Sequence, residues 1–153
     1  MAWFRIDNRL VHGQVIEGWL PYLGAGHLIV VNDALTADDL QQRIMRLAIP
    51  GRIWVAFVPV NSVKTLYETL EAERRNSLFL FATCQDVVRT AEQGVPVPIL
   101  NIGNMHYSQG KRQICAHVAV SDNDVACLSY FKQSGTQLDF RSVPSDVPIV
   151  EEW

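Results

Sequence analysis

The side chains able to do chemistry crowd into one short stretch. Arg5-Ile6-Asp7-Asn8-Arg9-Leu10-Val11-His12-Gly13-Gln14-Val15 places two guanidiniums, one carboxylate and one imidazole between an apolar run and a helical pattern. An imidazole is both substantially neutral near pH 7 and a good nucleophile toward phosphorus, so His12 suits a phosphoryl acceptor that attacks unassisted. Arg9 offers a planar fork of N–H donors matched to phosphate oxygens, and the amides of Gly13 and Gln14 can face the same anion if a helix starts there. Gly13 also permits close backbone approach. Asp7 can accept a hydrogen bond from one ring nitrogen, which fixes the tautomer and leaves the other nitrogen to react. The same residues equally suit a surface ion pair between Arg9 and Asp7 with His12 an ordinary solvated loop residue, and composition does not choose between the two.

Positioning such a loop is the task of the surrounding elements. Apolar runs suited to buried strands occur at 3–6, 28–31, 53–58, 78–82, 97–102, 114–120 and 138–143. Helical patterns lie between them. Thr36 can cap a helix in which Leu40, Ile44 and Leu47 share one face, and Asn61 or Ser62 can open another with Val63, Leu66, Tyr67 and Leu70 at helical spacing. A third helix runs over about 85–93 to Gly94, and a fourth starts at Ser121, three residues before Asp124, and stops at Gly135. This alternation predicts an α/β fold: one three-layer domain over 1–153, with a largely parallel sheet of about seven strands and helices on both faces. Ligands in such sheets gather beyond the carboxyl ends of the strands, which is where residues 7–14 fall. Residues 103–112 read as a polar surface loop, and 144–153 as an exposed tail or an extended strap.

Composition narrows the chemistry further. The 153 residues carry 13 Lys+Arg against 16 Asp+Glu, a formal charge of -3, which gives no basic field for nucleic acid. Cys84, Cys115 and Cys127 are an odd set without metal or redox spacing and read as buried core thiols. No secretory or membrane-spanning pattern is present, which gives a cytoplasmic location. No acidic cluster at magnesium spacing, phosphate-binding G-x-x-x-x-G-K-[S/T] loop or G-x-G-x-x-G turn occurs, so neither metal nor nucleotide is expected as cofactor. Of the other histidines, His27 and His117 read as structural, and His106, in the polar loop, is the reserve candidate.

The string R-I-D-N-R-L-V-H-G-Q-V, followed by Trp19, resembles the active-site segment of IIB proteins of the mannose/fructose/sorbose family of the phosphoenolpyruvate-dependent sugar phosphotransferase system. Val30-Val31-Asn32-Asp33, Asn101-Ile102-Gly103-Asn104-Met105 and the stretch from Asp124 to Asp146 extend the resemblance along nearly the whole chain. It implies a phosphocarrier in which His12 takes a phosphoryl group on Nδ1 from a phosphohistidine of a IIA protein. The group then passes to a sugar entering through membrane IIC and IID subunits, with which the carrier associates at the inner face of the membrane. The resemblance gives Arg9 and Asp7 roles beside the phosphate, adds Thr83, at the end of a strand, as a phosphate hydrogen-bond donor, and implies a possible homodimer. Leu10, Val11, Trp19, Met105 and Tyr107 are candidates for the docking surface, with Leu10 and Trp19 equally suited to the core. The alternative is a regulatory phosphohistidine module that signals the state of the phosphotransferase system without modifying sugar.

Overall fold

A computed structural model describes residues 1–148 and Trp153. Six strands, β1 (Ala2–Asp7), β2 (His27–Val31), β3 (Trp54–Val58), β4 (Ser77–Phe81), β5 (Ile99–Asn104) and β8 (Gln137–Asp139), form a parallel sheet in the order β3-β2-β4-β1-β5-β8. The pair β6 (Arg112–Cys115) and β7 (Val118–Val120) is antiparallel and lies outside that sheet. The expected three-layer α/β arrangement is what the chain adopts. Its strands number six plus two rather than seven, because the run 114–120 folds back at Ala116 and His117. Nothing in Ile-Cys-Ala-His-Val carries the Gly, Pro or Asn that usually marks a turn, so this hairpin is silent in the sequence.

Alternation along β1 divides the molecule. Phe4 and Ile6 point into one core, with residues of the helices α4 (Val63–Ala72), α5 (Cys84–Glu92) and α6 (Asp122–Gln133). Trp3 points into the other, against a π-helical turn (Gln14–Trp19), α1 (Leu20–Leu23), α2 (Asp33–Thr36) and α3 (Asp39–Leu47). The chain leaving β1 therefore crosses one face, whereas the chains leaving its two neighbours, β4 and β5, cross the other. Such a reversal opens a crevice at the carboxyl end of the strand between them. That end is Asp7.

Local chemistry explains the helix starts. Asn32 caps α2 by accepting from Leu35 N at 2.9 Å, and Asp38, rather than Thr36, caps α3 by accepting from Gln41 N at 3.0 Å. Thr36 ends the short helix instead. Ser121 and Asp124 form a full reciprocal capping box on α6. On α3, Leu40, Ile44 and Leu47 do share a face, but it points to solvent, and the partly buried Met45 packs into the core. Cys84 is buried, while Cys115 and Cys127 are half-buried. The strand expected over 138–143 stops at Asp139, where the Asp139 carboxylate takes the Arg141 backbone N–H at 3.1 Å and its guanidinium, turning the chain. Of the C-terminal stretch, residues 149–152 lie outside the described residues; Ser142 and Pro144 lie against the first helical segment, as a strap would.

Candidate functional site

The carboxylate of Asp7 is the hub at the crevice. Its side chain is 0% exposed, and one oxygen, Oδ2, receives Arg5 Nη2 at 2.9 Å, Asn104 Nδ2 at 2.9 Å and the His12 Nε2 at 2.7 Å. The other oxygen accepts the backbone N–H of Arg9 at 3.1 Å. Burial alone would raise the Asp7 carboxyl, but the hydrogen bond from His12, the charge of Arg5 and the amide of Asn104 outweigh it. They hold the group below its ordinary value. Asp7 is thus a buried anion whose ionised form is wired to the histidine ring.

The ring is oriented by that contact. Its Nε2 faces a carboxylate and must carry the proton, while Nδ1 has no hydrogen-bond partner among the described residues. The His12 side chain is 15% exposed, reachable but not loose. Its backbone carbonyl accepts Val15 N and Ile16 N, both at 3.0 Å, which starts the π-helical turn directly behind the ring. Among the described residues neither the Gly13 nor the Gln14 amide finds a carbonyl, and open space lies where a Gly13 side chain would be. Two N–H groups and the positive end of a helical segment are therefore free beside His12, as an anion site requires.

Arg5 is the residue whose place the sequence conceals. Counted there as one of two cations in a turn, it is 1% exposed and lies inside the domain. Its guanidinium bonds Asp7, the Asn101 side-chain oxygen and the Ser142 carbonyl, and stands 5.3 Å from the centre of the Trp19 ring. Burial pulls its proton affinity down, and Asp7 opposes that. The Arg9 and Asp7 pair weighed in the sequence is present only as a long contact, and it is not a surface pair: the carboxylate is internal and its close guanidinium partner is Arg5. Arg9 is half-exposed, reaches Asp7 Oδ1 only at 4.0 Å, and rests its Nη2 on the Gln14 side-chain oxygen at 3.1 Å.

Two asparagines complete the cluster through an irregularity in β5. The β1 register runs Arg5 to Asn101, Ile6 to Ile102 and Asp7 to Asn104, so Gly103 is an extra, bulged residue. The bulge brings both Asn101 and Asn104 to the Arg5 and Asp7 side. A Cβ on Gly103 would collide with the Arg5 guanidinium. The signal was present as Asn-Ile-Gly-Asn inside an apolar run, where two amides and a glycine are out of place.

The loop itself is held under tension. Leu10 has φ 57, a left-handed conformation that costs a non-glycine residue about 1–2 kcal/mol, and it is retained by a side chain 6% exposed in the core. Trp19, 3% exposed, donates its Nε1–H to the Ser142 carbonyl at 2.9 Å. Leu10, Trp19 and Met105 are thus core anchors, and Tyr107, 62% exposed, belongs to the surface. Thr83 caps α5, accepting from Asp86 N at 3.3 Å, at the carboxyl end of β4 next to β1; no hydrogen bond joins it to the His12 cluster among the described residues. His106 is exposed, and His117 is satisfied by the Phe140 carbonyl at 2.7 Å. Among the described residues no group of three His, Cys, Asp or Glu could hold a metal ion, and no helix is long and apolar enough to cross a membrane.

Comparison with known proteins identifies the family. Residues 1–150 match the family model of the phosphotransferase-system sorbose-subfamily IIB component. The chain is 39% identical over 144 residues to the N-acetylgalactosamine-specific phosphotransferase enzyme IIB component 1 of Escherichia coli, covering 93% of this chain and 90% of that one. It is 30% identical to the mannose-specific EIIAB component of the same species, covering 93% of this chain but 44% of that longer protein. The crystal structure of the IIB domain of the Klebsiella pneumoniae sorbose permease superposes with a TM-score of 0.89 at 31% identity, over 96% of this chain and 90% of that one. The chain therefore belongs to the sorbose subfamily of IIB components of the sugar phosphotransferase system.

Proposed function

We propose that the protein is a phosphocarrier in which Nδ1 of His12 accepts a phosphoryl group from a phosphohistidine of a IIA partner and delivers it to a sugar presented by membrane IIC and IID subunits. The observation that carries this reading is the 2.7 Å contact between His12 Nε2 and the buried Asp7, which leaves Nδ1 as the nitrogen with a free lone pair. In the first step that lone pair forms a bond to phosphorus while the donor's P–N bond breaks and its electrons return to the donor ring. The His12 ring gains positive charge, which the ionised Asp7 stabilises across Nε2–H. Arg9 moves from Gln14 to the phosphoryl oxygens, the amides of Gly13 and Gln14 take the remainder, and Thr83 adds its hydroxyl from the neighbouring strand end. In the second step the sugar hydroxyl attacks phosphorus, the P–N bond electrons return to Nδ1, and the hydroxyl proton passes to solvent.

Domain organisation supports the partner. The mannose relative is named as an EIIAB component and extends well beyond the matched region, so a IIA unit acting on a IIB unit fits the pairing. This chain would take the phosphoryl group from such a IIA unit in the cytoplasm and associate peripherally with the membrane subunits. The test supplies a phosphorylated IIA donor and locates the acid-labile modification by mass under alkaline conditions. His12 is expected to carry the label, His12→Ala to abolish it, and His106→Ala and His117→Ala to retain it. A label that survives His12→Ala would refute the proposal.

A further inference from the structure

Beside the His12 cluster, and sharing Arg9 and Asn104 with it, opens a cleft of about 420 Å³. Its walls hold Asn8, Arg9, Asn104, His106, Tyr107 and Gln113, and no Asp or Glu lines it. That volume lies within the range of roughly 300–1,000 Å³ in which small-molecule sites fall. Its walls are fixed: Met105, 5% exposed, is clamped to the β6–β7 hairpin by Met105 N to the His117 carbonyl at 3.0 Å and Ala119 N to the Met105 carbonyl at 2.7 Å. Gln113 is held by the Cys115 and Val118 carbonyls.

The mouth, by contrast, is uncommitted. The side chains of Asn8, His106 and Tyr107 and the Asn104 side-chain oxygen have no hydrogen-bond partner among the described residues, and the Tyr107 ring is 62% exposed. Neutral amides, an imidazole, a phenol and an aromatic face, with one cation shared with the phosphoryl group, are a poor match for an acidic protein surface. They suit a polyhydroxylated ring, whose hydroxyls need both donors and acceptors and whose C–H face packs on an aromatic ring. Resting on the phosphocarrier reading above, we propose that this cleft is the acceptor subsite. It receives the sugar as the membrane subunits present it and sets the attacking hydroxyl beside the phosphoryl group on His12. The chemistry is the second step already written, with the P–N bond broken, the P–O bond formed and the hydroxyl proton released to solvent; the cleft adds orientation.

The two half-reactions separate the cleft from the phosphoryl site. Asn8→Ala, His106→Ala and Tyr107→Ala alter exposed or half-exposed side chains, and each is assayed twice. The first assay follows labelling of His12 by the phosphorylated donor. The second follows transfer from the labelled protein to N-acetylgalactosamine, sorbose and mannose on membranes carrying the IIC and IID subunits. Donor labelling is expected within twofold of the parent, while the KM for the sugar that is phosphorylated rises about threefold to tenfold per variant, the loss of one or two hydrogen bonds. Parallel loss in both assays would overturn the proposal by making the cleft a docking ground for the donor, as would an unchanged sugar KM. Absence of labelling in the parent chain would overturn the phosphocarrier reading and the cleft with it; labelling without a KM effect overturns the cleft alone.

Discussion

Asp7 Oδ2 collects a guanidinium, a side-chain amide and an imidazole within 2.9 Å, and the rest of the site follows from keeping that one oxygen ionised inside the protein. His12, Arg9 and Asp7 were legible in the sequence because reactive types in a turn after a buried strand have few structural duties. Arg5 was not, since a fully internal guanidinium runs against the usual exposure of arginine, and it is tolerated through Asp7 together with two partners distant in sequence, the Asn101 side-chain oxygen and the Ser142 carbonyl. Gly103 is the point where this arrangement is most easily broken. Gly103→Ala sets a methyl group into the Arg5 guanidinium. Overpacking costs about 1–3 kcal/mol and leaving a buried carboxylate unpaired about 3–5 kcal/mol, so a loss of at least about 3 kcal/mol in urea unfolding is expected. A loss below about 1 kcal/mol would show that Arg5 can move aside freely.

Among the elements, caps were easier to read than strands. Ser121 with Asp124 and the stop at Gly135 needed only local chemistry, whereas the hairpin of β6 and β7 and the bulge at Gly103 depend on pairing with distant residues. The outward apolar face of α3 shows the same limit: spacing reveals that Leu40, Ile44 and Leu47 share a side, but not which way that side turns. Thr83 and Ser121 are matched caps, one on α5 at the carboxyl end of β4, the strand beside β1, and one on α6. Each Ala substitution is expected to cost about 1 kcal/mol of stability. Thr83→Ala should also slow labelling by the donor about threefold or more, as the loss of a phosphate hydrogen bond does, while Ser121→Ala should not. Equal labelling rates in the two variants would leave Thr83 a cap and nothing else.

At the scale of the whole molecule, the parallel sheet reverses its crossovers around β1 and so opens a crevice there, and three carboxylates, one of them at that crevice, tie stability to pH. Asp7, Asp33 and Asp124 are each held below the ordinary carboxylate value. At Asp7 and Asp124 burial is outweighed by hydrogen bonds and cations; at Asp33 the leading cause is the Val60 backbone N–H. A depressed carboxyl adds stability that is complete above its unfolded value, about 3.9, and is lost as pH falls through the folded one. Thermal midpoints are therefore expected to hold between pH 7 and about 5 and to fall below about 4, and Asp124→Asn should lower the pH 7 midpoint while shrinking the acid drop. A midpoint that rises on going below pH 4 would contradict this. Phosphoryl transfer through His12 turns on which ring nitrogen the crevice leaves free. The direct measurement is heteronuclear NMR of the imidazole-¹⁵N-labelled protein after phosphorylation by its donor: the phosphoryl group is expected on Nδ1 of His12, with Nε2 still protonated toward Asp7, and a phosphoryl group on Nε2 would contradict it.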